Sequence, residues 1–236
     1  MGAGRGNAGN PGGTNQQPPI LKKVNPFPPV DNSPYHQLVD EDGYSQKQTF
    51  SQETKDAIED YLDPNPKGWS LYAPSQELNH ALRTGAKLTP AQQTMHDNLL
   101  KGMHNLGENL NLVRYDRVSF MDGLGIKNYD KKSIATLRKQ LLGHTYDDKA
   151  FVSVSMNNFS KAPRYNPFTD KAVKINIKAP AKTQALMPGT GTGGDFGEMI
   201  LAPNQKFRIT GVRFTGKQGR SGANYYKQIE LDVEIV

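Results

Sequence analysis

The 236-residue chain carries 29 basic and 23 acidic residues, 35% hydrophobic residues, 23 Gly, 16 Pro and no Cys. That length can bury a core of one or two domains, and the lack of Cys excludes disulfides, thiolate nucleophiles and Cys-ligated metals. No window approaches roughly 18 apolar residues, which excludes a transmembrane helix, and the net charge of +6 suits nucleic acid, phosphorylated ligands or anionic membranes.

The basic residues are scattered, with pairs such as Lys22-Lys23 and Lys131-Lys132 as the densest clusters, so a solvated basic surface is the preferred reading. The N-terminal "MGAGRGNAGNPGGTNQQPP" has no apolar h-region and lacks the Ser/Thr of a myristoylation signal. Residues 1–35 hold 6 Gly, 7 Pro and 5 Asn, a composition that cannot offset the entropy of ordering. We therefore expect a disordered leader or linker over 1–36 and one folded domain over 37–236.

The first elements read as helices. Ser51 caps a helix carrying Ala57, Ile58, Tyr61 and Leu62 at helical spacing, and Pro64 stops it. "SQELNHALRTG" follows, with Ser75 as N-cap, Leu78 and Leu82 on one face and Gly85 as terminator. "TPAQQTMHDNLLKGMHNLG" has Thr89 as N-cap and Pro90 at the first helical position. Its Met95, Leu99, Met103 and Leu106 form one stripe, read as core packing.

After Gly107 the period changes. "NLNLVRYDRV" reads as a strand, and "DKKSIATLRKQLLG" as a helix with Ile134, Leu137 and Leu141 inward. Strands follow in "AFVSVSM", "AVKINIKA", "TQALMP", "GEMILAP", "QKFRITGVRF" and "YKQIELDVEIV". Helices first and strands afterwards predict an α+β fold with largely antiparallel sheets.

Most familiar catalytic signatures are missing. The histidines, among them His80, His96 and His104, have no HExxH or carboxylate spacing, so no metal site is expected. "GTGTGG" lacks the GK[ST] ending of a phosphate loop, and no GxSxG elbow occurs. Four features remain. Arg83 ends a helix; Arg114 sits inside the apolar "LNLVRY", where a guanidinium is costly unless it meets an anion. Ser153 and Ser155 alternate with valines and share one strand face, and Glu198 opens "EMILAP" after a glycine-rich run. Singly, each has a plain reading: a solvated helix end, an edge-strand charge, sheet-filling serines, an acid at a strand start.

Their order carries a resemblance. Arginine on a first strand, Ser-x-Ser on a second, then a Gly-rich turn delivering glutamate into "MILAP" resembles the bacterial mono-ADP-ribosyltransferase toxins. The arginine–serine–glutamate class is the nearest, with the clostridial Rho-modifying exoenzymes and the enzymatic components of binary actin-modifying toxins. "SQETKDAIEDYL" and "LNHALRTG" are similar to that family's Ala-Ile-x-x-Tyr helix and its Ile/Leu-Asn-x-x-Leu-Arg segment, so the likeness spans roughly 48–236.

The resemblance implies N-terminal helices packed on two mostly antiparallel sheets around an NAD cleft. Glu198, Ser153 and Arg114 would be catalytic, and Arg83 and Arg114 would grip the pyrophosphate, because guanidinium forks match phosphate geometry. Asn79, Tyr115, Ser155, Phe159 and Arg164 are the further expected NAD contacts. A carboxylate at the ribose 2′-hydroxyl stabilises the oxocarbenium-like cation formed as the N-glycosidic bond breaks. The family carries Glu or Gln two residues before the catalytic acid; here that position is Phe196, with Asp195 one residue earlier. These two are the expected target-recognition residues, and neither arginine nor asparagine specificity follows from them. The expected activity is transfer of ADP-ribose from NAD, with no metal, to a macromolecular acceptor. A host protein is favoured over nucleic acid, with no stable membrane association and a monomeric enzyme. The alternatives are an NAD glycohydrolase or a non-catalytic binding module. A secreted or injected effector acting in a target-cell cytoplasm is the expected setting.

Overall fold

Capping chemistry and apolar spacing set the first layer, three helices. A computed structural model describes residues 50–63, 73–156, 172–188, 198–221 and 223–236; the 1–36 leader lies outside them. Helix α1 (Gln52–Leu62) is capped by Ser51, whose side chain accepts from the Thr54 amide, and it buries Ala57, Ile58 and Tyr61. Helix α2 (Pro74–Thr84) starts from Ala73 without a side-chain cap, so the expected Ser75 cap falls inside the first turn. Pro74 takes the early position that needs no amide donor. Gly85 closes the helix at φ 71°, a left-handed conformation that favours glycine.

Helix α3 (Pro90–Lys101) opens with a reciprocal Thr89–Gln92 capping box and ends at Gly102. It is shorter than the sequence suggests, and the Met/Leu stripe is divided. Leu99 and Met103 pack with α1 and α2, whereas Leu106 belongs to the second core. Between Met103 and Leu106 the chain is already strand β1 (His104–Asn105). Gly102 leaves no room for a side chain: a Cβ there would lie 2.6 Å from Thr54 Cγ2 and 3.3 Å from Phe50, so α1 seats directly against this turn.

The strands are β2 (Leu110–Asp116), β3 (Thr145–Asp148), β4 (Val152–Met156), β5 (Val173–Ala179), β6 (Gln184–Leu186), β7 (Glu198–Leu201), β8 (Gln205–Ser221) and β9 (Asn224–Ile235). Helices α4 (Val118–Gly123) and α5 (Ile134–Leu141) interrupt them. The strands form one mixed nine-stranded sheet in the order β1-β6-β7-β4-β2-β5-β9-β8-β3. This corrects the expectation of two sheets. Strand β2 is bonded on both edges, to β4 through Leu112↔Met156 and Val113↔Ser155 and to β5 along its whole length, and so joins what would otherwise be two sheets. Every pairing among the described residues is antiparallel except β5 with β9.

Two apolar cores result. One lies between the sheet and α4 and α5, around Leu112, Tyr129, Leu137, Ile175 and Leu231. The other fills the space between α1–α3 and the β4–β7 region, around Tyr61, Leu78, Leu99, Phe151 and Ile200. Each fully buried large apolar side chain contributes roughly 1.5–3 kcal/mol, which is why the helix layer is fixed over this end of the sheet.

The close approach at Gly102 gives a direct test. Gly102→Ala should destabilise the fold by about 1–3 kcal/mol through overpacking, read as a lower urea midpoint with an unchanged slope.

Candidate active site

Arg114 sits on a core strand, and its setting shows how a buried-strand guanidinium is tolerated. Alternation puts Leu112, Arg114 and Asp116 on one face of β2. The β2–β4 ladder stops after Val113↔Ser155, and the Ser153 carbonyl beyond that point accepts from Arg114 Nη1 at 3.1 Å. The other edge of the guanidinium meets Asp116: Nε donates to Oδ2 at 3.0 Å, with Nη2 at 2.9 Å. Arg83, in the last turn of α2, is bound bidentately by Asp148, Nε and Nη2 each donating at 2.9 Å. Burial lowers the Arg83 pKa, but Asp148 outweighs it, so the net displacement is upward.

Arg83, Arg114, Ser153, Asn79 and Tyr61 line a cavity of about 670 Å³, together with Phe151 and the first turns of α2. A neighbouring cavity of about 460 Å³, walled by Phe120, Tyr146 and Phe207, shares Arg83 and Arg114 with it. The two arginines therefore stand where the hollows meet.

Tyr61, only 2% exposed, links the cavity to the acid. Its hydroxyl accepts from Asn79 Nδ2 at 2.9 Å, is hydrogen-bonded with Ser153, and feels the charges of Arg114 and Glu198. Burial pushes its pKa up. Asn79 is anchored at its other end, where Oδ1 accepts from the Phe151 amide at 3.1 Å. Glu198 is half-buried at the start of β7 and pairs across the ladder with Ser155, while Ser153 faces Ile200. Directly opposed side chains lie on one face, so both serines and Glu198 look toward the helix layer. Burial raises the Glu198 pKa above the ordinary carboxylate value.

The structure thus gathers Arg83, Arg114, Asn79 and Ser153 around one cavity, with Ser155 and Glu198 adjoining it on the same strand face. Tyr115 lines neither cavity. It points to the face of β2 opposite Arg114, the face that Val113 shares with Ser155, where it stands opposite Lys174 with Lys174 and Glu230 as the charges around its hydroxyl. That face of the sheet holds an ion-pair network in which Lys174 and Arg213 converge on Glu230, at 2.8 and 2.9 Å. Phe159, Arg164, Asp195 and Phe196 lie outside the described residues. Sequence reasoning missed Asp116 and Asp148, which hold the arginines, and took Tyr61 for core alone. The apolar spacing of α1 hides the hydroxyl of Tyr61, and the acids of "YDDKA" stand in no apolar run that would single them out.

Among solved structures, the chain is similar to Plx2a, an ADP-ribosyltransferase toxin from Paenibacillus larvae. The TM-score is 0.57 and the identity 14%, over 79% of this chain and 87% of that one. It is also similar to the C3 exoenzyme of Clostridium limosum, at TM-score 0.55 and 15% identity over 80% and 87%. The fold is that of the bacterial ADP-ribosyltransferase toxins. The enzymatic component C2-I of the Clostridium botulinum C2 toxin matches at TM-score 0.60 and 14% identity, but over 79% of this chain and 44% of the larger component. BECa of a Clostridium perfringens binary enterotoxin, solved with NADH, matches at TM-score 0.57 and 13% identity over 79% and 44%. No family profile matches the sequence, and no curated protein does. Among the described residues no helix is long and apolar enough to cross a membrane.

The raised Glu198 pKa has a thermodynamic consequence independent of any activity. A carboxyl whose pKa is higher folded than unfolded favours the fold at acid pH, and loses that contribution as pH rises through the folded value. Glu198→Gln should therefore raise the melting temperature at pH 7 and leave it nearly unchanged at pH 4, measured by differential scanning fluorimetry.

Proposed function

We propose that the protein is an NAD-dependent mono-ADP-ribosyltransferase of the toxin type, transferring ADP-ribose to a macromolecular acceptor. The observation that carries this reading is the cavity holding Arg83, Arg114 and Ser153, with Glu198 paired across the ladder with Ser155, two residues along the same strand face from Ser153. The residues suit the substrate. Two guanidinium groups with free donors meet a pyrophosphate, whose oxygens accept bidentate hydrogen bonds. The aromatic wall of the second cavity suits a flat ring, and the shared arginines suit a ligand that spans both hollows.

The chemistry then needs little covalent participation by the enzyme. The N-glycosidic bond of NAD breaks, nicotinamide leaves with the bonding pair, and positive charge develops on the ribose. An ionised Glu198 stabilises that charge and hydrogen-bonds the ribose 2′-hydroxyl, an interaction stronger in the transition state than in the ground state. Ser153 and Ser155 hold the strand face on which the acid stands. The acceptor attacks the anomeric carbon and loses a proton. A protein acceptor in a target cell is the proposed partner.

The reading is tested with labelled NAD, with and without cell lysate. The wild-type protein should release nicotinamide and label a macromolecule, and Glu198→Gln should lower both by at least about 10²–10³-fold, the cost of losing a preorganised electrostatic group. A fully active Glu198→Gln would refute the reading; label recovered only as free ADP-ribose would make water the acceptor.

A further inference from the structure

We infer that Asp148 and Asp116 are positioning residues for substrate affinity, each fixing one arginine so that its outer edge stays presented to the cavity. This rests on the proposed NAD reading and extends it to two carboxylates that line the second cavity beside the arginines.

The two halves of the site are built alike. Asp148 Oδ1 accepts from the Ala150 amide at 3.1 Å, and the carboxylate then grips Arg83 along its Nε–Nη2 edge at 2.9 Å twice. Asp116 Oδ1 accepts from the Arg117 amide at 2.8 Å, and Oδ2 grips Arg114 along the same Nε–Nη2 edge. Each carboxylate is thus pinned to main chain before it meets its arginine. In both cases the side edge of the guanidinium is used. Among the described residues Arg83 keeps the donors of its Nη1–Nη2 end, while Arg114 Nη1 also donates one hydrogen bond to the Ser153 carbonyl at 3.1 Å and keeps its second N–H. The Nη1–Nη2 end is what a pyrophosphate oxygen pair needs. The Arg83 side chain is 44% exposed while Asp148 is 19% exposed, so the acid is the fixed member and the arginine the one in need of holding. A free arginine loses rotamer entropy when a ligand immobilises it, and a pre-ordered one loses less.

A double-mutant cycle in the full-length chain separates this from a general effect on folding. The measured quantities are the NAD KM and kcat for nicotinamide release, with NAD affinity by quenching of intrinsic fluorescence. Asp148→Ala should raise KM and the dissociation constant about tenfold, close to 1.4 kcal/mol, with kcat within about twofold. In an Arg83→Ala background the same change should alter affinity less than about twofold, because its action passes through Arg83. Asp148→Asn, which keeps one acceptor oxygen, should recover part of the loss. Unchanged or tighter NAD binding in Asp148→Ala would overturn the inference, since the acid would then compete with the pyrophosphate. Equal losses in both backgrounds would overturn it too, by showing an effect on the fold. A wild-type protein that neither binds nor cleaves NAD would instead sink the functional reading.

Discussion

The structure turns on the point where the β2–β4 ladder ends and an arginine takes over. A guanidinium on a strand that also carries Leu110 and Leu112 is expensive unless its donors are met. Here the Ser153 carbonyl accepts from Arg114, and Asp116, two residues along the same strand face, accepts from its other edge. One side chain thus finishes the junction between two parts of the sheet and delivers a positive charge to a cavity. The same junction explains why the nine strands form one sheet: two residue pairs between β2 and β4 are enough to join the regions, and too few to close the hollow above them.

The helix layer completes the hollow from the other side. Tyr61 on α1 and Asn79 on α2 meet over Phe151 and Ser153, so the capping and apolar spacing that fix the helices also fix the polar groups above the serine strand. Packing alone would have been served by phenylalanine at position 61. The hydroxyl adds a contact with Asn79 and with Ser153, and satisfied buried polar groups specify one arrangement where an apolar core allows several. This end of the domain is therefore held by hydrogen bonds that an apolar core does not need.

How much of this was legible in the sequence depended on whether the signal was local. The Thr89–Gln92 box, the Gly85 terminator and the alternation in "IELDVEIV" are local, and the structure has them where the pattern puts them. Ser75 lost its capping role because Pro74 already sits in the helix. The helix α4 and strand β3 were not foreseen, since "VSFMDG" and "TYDD" are too short to show a period. Among candidate site residues, Arg114, Ser153 and Glu198 stood out because a polar group in an apolar strand is costly and so conspicuous. Asp116 and Asp148 did not, because an aspartate beside a turn is ordinary until its partner is known. Tyr115 alternates with Arg114, so its hydroxyl lies beside Lys174 and Glu230 and not beside the guanidinium.

The charges at the site also revise what the overall basicity means. Arg83 and Arg114 are each matched by a carboxylate, and Glu198 adds a third acid, so these five described groups together carry no excess positive charge. The net charge of +6 is not concentrated in them. Recognition of an anionic pyrophosphate here would rest on directed donors rather than on a long-range positive field, and short-range hydrogen bonds are far less weakened by salt than a diffuse field is. Glu198 obeys the same economy from the opposite sign. Burial raises its pKa, so its ionised form is disfavoured in the fold, and on the proposed reading a positive charge developing beside it would offset that cost.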